Sequence, residues 1–82
     1  MISNDEARQN IAANVQRLMA IRGWDQSDLA RESGENHMQI SRVVRGTNLA
    51  NAATLARVAE ALDVTMDRLI SEPPTEKSRR SA

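Results

Sequence analysis

The 82-residue chain has no cysteine, no phenylalanine and no tyrosine, a single tryptophan, a single histidine, two prolines and three glycines. Without cysteine there is neither a disulfide framework nor a thiolate metal site. One histidine cannot build a zinc centre without several carboxylates, so no metal is expected. Long apolar runs are missing too: no stretch approaches the roughly 20 residues that span a bilayer. The polar, acidic start MISNDEARQN is wrong for a secretory signal. These absences point to a cytoplasmic protein with no membrane partner. Net charge is also lacking, because eleven basic residues are cancelled by eleven acidic ones. That argues against a purely electrostatic nucleic-acid binder, which carries a basic excess.

What is present is alanine, short aliphatic side chains and arginine. Alanine-rich, β-poor composition favours closely packed helices, and the length allows one small all-α domain. Ten of the eleven basic residues are arginine, whose fork matches a guanine edge or a phosphate. A GC-rich genome enriches arginine equally well, so position must decide.

Local punctuation divides the chain into five short helices. Ser3 and Glu6 have capping-box spacing, and Ile11, Val15 and Leu18 recur at helical intervals up to about Arg22, before Gly23. Trp24, Asp25 and Leu29 fit a hydrophobic staple around an Asp N-cap, predicting a second helix from Gln26 to about Ser33. Gly34 ends it; Asn36 and Gln39 repeat the capping-box spacing more loosely and open a third helix that ends near Gly46. After a TNLAN loop, Asn51 caps a fourth helix carrying Leu55, Val58, Ala59 and Leu62. Asp63 stands where such a helix often ends in glycine, a left-handed position that aspartate tolerates at some cost. Val64, Thr65 and Leu69 form another staple, starting a fifth helix around MDRLI. The polar, proline-containing segment 71–82 is expected to be a disordered tail.

The third helix carries the functional signal. At about 100° per residue, Ile40, Val43 and Val44 fall on one side, and His37, Met38, Ser41, Arg42 and Arg45 on the other. A major groove about 12 Å wide admits one such helix. Arg42 suits guanine O6 and N7, His37 can hydrogen-bond guanine or a phosphate, Met38 can touch a thymine methyl, and Ser41 permits close approach. The preceding helix would then turn its N-terminal amides toward a phosphate, and the short glycine-containing turn between the two is a helix-turn-helix feature. Rival chemistry is poorly supported. Asp25 and Asp28 imitate a carboxylate pair, but acids are expected at a helix N-terminus. His37 and Ser41 lie four residues apart, yet no orienting group or oxyanion hole accompanies them. No catalytic residue, cofactor or enzyme activity is expected.

The segment WDQSDLARESGENHMQISRVVRGTNLANAATLARVAEALDVTMDRLI resembles the lambda repressor/Cro-like (Xre-type) helix-turn-helix family over about residues 8 to 70. The resemblance rests on Gln26, Leu29-Ala30, Gly34, Ile40, SRVVRG, TLARVAEAL and VTMDRLI in that order. It implies a five-helix lambda-repressor-like domain over residues 1–70, with the helix-turn-helix at the second and third helices. It also implies base reading by His37, Met38, Ser41 and Arg42, and phosphate contacts from Gln26, Asn36, Arg45 and Asn48. Two residues depart from the common choices, Glu35 and Val44; Glu35 would place a negative charge beside the DNA surface.

One reading helix meets four or five base pairs, at roughly 1–3 kcal/mol per mismatch, which is too little to find one operator. The resemblance implies a homodimer on a pseudo-palindromic double-stranded operator, with reading helices about 34 Å apart. Apolar residues concentrate at Leu49, Met66, Leu69 and Ile70, making that group the leading dimer surface; part of it must complete the core, and Met19 with Ile21 form the rival. The expected function is transcription regulation, as a repressor or controller protein that blocks or contacts RNA polymerase and resembles small phage Cro-like repressors. The competing reading is an antitoxin-type interaction module, whose tail beyond Glu72 would fold on a toxin.

Overall fold

The computed structural model describes residues 2–47 and 50–74. Of the sites expected above, Asn48 and Leu49 lie outside the described residues, as does most of the expected tail, with its toxin-binding role, over 75–82. The described chain folds as five helices: α1 (Asn4–Arg22), α2 (Gln26–Ser33), α3 (His37–Arg45), α4 (Ala52–Ala61) and α5 (Met66–Ile70). No strand occurs among the described residues.

Each helix begins at a side chain that removes an orphan donor. Ser3, Asp25, Asn36, Asn51 and Thr65 are extended N-caps, each accepting the backbone N–H three residues on. Such a cap stabilises a helix by about 1 kcal/mol. Around Ser3 and Asp25 the return bond closes a full capping box. At Asn36 only half of one forms: its carbonyl accepts from Gln39 N–H at 2.8 Å. α4 gives way to the left-handed Asp63, φ 58°, the aspartate-for-glycine exchange expected there.

α1 packs against α3 and α5, α2 against α3 and α4, and α4 against α5. Val15, Leu29, Ile40, Val58, Leu62 and Leu69 are the fully buried apolar centre. Trp24 is half-buried against this cluster, and the Arg22 guanidinium lies over its ring, 5.1 Å from the centroid. Two expected surface residues belong to the core. Leu69 is 0% exposed and has no area left to offer a partner. Met19 is buried as well, which leaves Ile21, 71% exposed, without its proposed companion.

Helices this short leave many carbonyls unpaired at their C-terminal ends, and α1 supplies donors to three of them. The buried Asn14 amide donates to Leu69 O at 2.9 Å, Ser71 O at 2.8 Å and Arg68 O at 3.1 Å. Asn10 reaches Ile70 O at 2.8 Å. Gln16 Nε2 donates to Val44 O at 2.6 Å, at the end of α3. Arg22 reaches Leu62 O at 3.1 Å, at the end of α4. Arg68 O also accepts from Ser71 Oγ at 3.0 Å, so truncating Asn14 leaves the buried Leu69 O and the partly buried Ser71 O without a donor, each costing about 1–3 kcal/mol. Asn14→Ala is therefore expected to lower stability by about 2–4 kcal/mol, and Asn14→Asp by more, since a carboxylate presents only acceptors to acceptors. Thermal unfolding followed by circular dichroism checks both.

Candidate nucleic-acid interface

α3 is held from behind and bare in front. Ile40 and Val43 are buried, and Val44 packs half-buried beside them. On the opposite side His37, Met38, Arg42 and Arg45 are exposed and Ser41 is half-buried. Met38 is 63% exposed, an unusual outlay of apolar surface for a helix that also has a core face. The far end is pinned by a close backbone approach. At Gly46, φ +71°, an added Cβ would lie 3.3 Å from Ala12 Cβ and 3.4 Å from Arg8 O. Glycine thus serves both the left-handed turn and the contact between α3 and α1.

Pairing separates these arginines from the other described ones except Arg68, which is exposed on α5 and likewise in no ion pair among the described residues. Arg8 is paired with Asp5, Arg31 with Asp28 and Arg57 with Glu35. Arg17 and Arg22 are turned to Asn14 Oδ1 and Leu62 O. Arg42 and Arg45 are in no ion pair among the described residues; only Arg45 Nε leans back, 3.4 Å from Ser41 O. A molecule with no net charge therefore carries unneutralised guanidinium groups on one exposed helix face.

Asn36 is exposed at the head of α3, with its carbonyl committed to the cap, and Gln26 is half-buried at the first position of α2. The amides of α2 are less available than expected. Asp28 N–H donates to Asp25 Oδ1 at 2.9 Å, and Asp25 N–H to Asp28 Oδ2 at 3.0 Å. Among the described residues this leaves the N–H groups of Gln26 and Ser27 for an outside acceptor, beside two carboxylates. The second correction concerns Glu35. Its side chain does not extend over the exposed face of α3; it is 8% exposed, accepts from Thr54 Oγ1 at 3.2 Å and pairs with Arg57. The signal was Arg57 on α4, but a separation of 22 residues gave it no local register.

The chain matches the family described as helix-turn-helix over residues 15–69. No curated protein is similar enough in sequence to match. Among solved structures, a hypothetical transcription factor from Neisseria, NHTF, superposes with a TM-score of 0.78 at 25% identity, covering 99% of this chain and 90% of that one. The chain belongs to the helix-turn-helix family of the Xre, lambda repressor-like type. Membership makes it a DNA-binding regulator rather than an enzyme. No helix among the described residues is long and apolar enough to cross a membrane.

The cap of α2 has a pH signature. The Asp25 backbone N–H, and next the Arg31 guanidinium, hold the Asp28 carboxyl below the ordinary aspartate value. A folded-state pKa below the unfolded one, about 3.9, stabilises above that pH, and the contribution is lost as pH falls through the lowered value. Carboxyl-detected NMR titration is expected to give Asp28 a midpoint below that of unfolded aspartate, and Arg31→Ala to move it upward.

Proposed function

We propose that the chain is a sequence-specific regulator of transcription, a repressor or controller protein, that lays α3 in the major groove of double-stranded DNA as a homodimer on a pseudo-palindromic operator. The observation that carries this reading is the pair of exposed, unpaired guanidinium groups of Arg42 and Arg45 on a helix whose other side is fixed in the core. Arg42 is assigned to a guanine edge, Met38 to a thymine methyl, and His37 and Ser41 to neighbouring base edges. Gln26, Asn36 and Arg45 are assigned to backbone phosphates, and Asn48 joins them on the strength of the family pattern alone. The capped, acidic start of α2 restricts the phosphate there to the Gln26 and Ser27 amides.

Selection of bound duplexes from a random pool tests the reading directly. Arg42→Ala is expected to relax preference at one position per half-site, costing about 1–3 kcal/mol on the selected sequence. Arg45→Ala is expected to weaken all sequences alike and to reduce the logarithmic salt slope by about 1. Intact motif and affinity in both variants would remove α3 as the reading helix.

For the dimer, Met66 and Ile70 remain after Leu69 is assigned to the core. Met66 is half-buried and borders an open groove with Ala56, Ala59 and Val64 between α4 and α5. Met66→Glu is expected to lower the sedimentation coefficient to that of a monomer and to abolish joint occupation of two half-sites, with helix content unchanged. Unchanged sedimentation and unchanged operator binding would eliminate this face.

A further inference from the structure

One carboxylate stands beside the reading face and is withheld from it. Glu35 is the last residue before Asn36, the N-cap of α3, and two before His37. Both of its oxygens are taken by α4: Oε1 accepts from Thr54 Oγ1 at 3.2 Å, and Oε2 from the Arg57 guanidinium at 2.5 Å. The Glu35 side chain is 8% exposed, whereas that of Arg57 is 57% exposed. The cation therefore lies outermost, between the carboxylate and water. Without it, a carboxylate with one remaining partner either stays desolvated and uncompensated or swings out to solvent. In both cases a negative charge stands at the entry to α3, within a Debye length (about 10 Å at 0.1 M salt) of whatever phosphates Asn36 and His37 approach.

We propose that Arg57 serves DNA binding without touching DNA: with Thr54 it cancels the Glu35 carboxylate and keeps it turned from the phosphates. It is a positioning residue for the approach of α3, and this role rests on the DNA-binding reading above. A direct phosphate contact by Arg57 is the competing role. The two differ in one respect: neutralising Glu35 repairs the loss of Arg57 only if cancellation is what Arg57 supplies.

The test compares the full chain with Arg57→Met, Glu35→Gln and the double variant for affinity to a duplex selected by the wild type, over a range of salt. Thermal melts confirm that each is folded at the assay temperature. Arg57→Met is expected to bind about tenfold more weakly at low salt, as one uncompensated charge near the phosphates implies, with the gap closing as salt rises. The double variant is expected to return to within about twofold of wild type, and the closing of the Arg57→Met gap with salt separates a charge effect on DNA from a loss of fold, which salt would not repair in the same way. Where Arg57→Met fails to fold, Arg57→Gln is read in the same way. A double variant as weak as Arg57→Met overturns the proposal in favour of direct contact, an Arg57→Met gap that does not change with salt overturns it in favour of a purely structural pair, and wild-type affinity in Arg57→Met overturns it outright. Absence of duplex binding by the wild type defeats the DNA-binding reading itself, whereas tight wild-type binding without rescue defeats the role of Arg57 alone.

Discussion

The fold depends on the side-chain amide of Asn14. An α-helix leaves up to four carbonyls unpaired at its end, and a five-residue helix such as α5 consists of little else. Buried ends must find donors or lose the solvation of those oxygens. Asn14 lies in the core and meets three carbonyls from Arg68 to Ser71, while Asn10 meets the one between. The same helix satisfies Val44 O and Leu62 O through Gln16 and Arg22. α1 is thus a rack of donors into which three other helices end, and the apolar centre around Val15, Ile40 and Leu69 fills the space between. α3 takes its rigidity from this arrangement, gripped at its far end by α1 and at its entry by α4.

Helix existence and limits were legible because the chain is punctuated chemically: an oxygen-bearing cap opens each helix, and glycine or Asp63 follows four of the five. The face of α3 was legible for the same reason, since Ile40 and Val43 against Arg42 and Arg45 divide a helix wheel without ambiguity. The rack of donors was not. Asn10, Asn14 and Gln16 look like solvated positions of an amphipathic helix, and their partners lie 28 to 60 residues away. The one available clue was Asn14 itself, a polar residue three after Ile11 and four before Leu18 on the apolar stripe. Leu69 and Ile70 show the opposite difficulty: adjacent apolar residues on a one-turn helix have no periodicity to say which faces inward. Glu35 misled because a charge in a turn is ordinarily solvated, and only its long-range partner on α4 reverses that expectation.

A formal charge of zero conceals a deliberate distribution. Of the described arginines, three are spent against carboxylates and two against protein oxygens, while Arg42 and Arg45 on α3 and Arg68 on α5 are left to the solvent. Attraction toward a polyanion then depends on local field rather than total charge. The two carboxylates at the start of α2 act in the same economy, stabilising that helix while narrowing where an anion can sit.

The bonds from Asn10 and Asn14 to α5 join the beginning of the chain to residues 54 to 60 positions later. α1 is made before the other four helices and can meet α3 early, yet Asn10 and Asn14 stay unmatched until the stretch through Ser71 has left the ribosome. Closure across that distance has to wait until α5 is made, though its entropic cost grows only slowly with the length of the loop. The helix-turn-helix segment is thus translated before its scaffold is finished, and the donors of α1 are all engaged only once α5 docks.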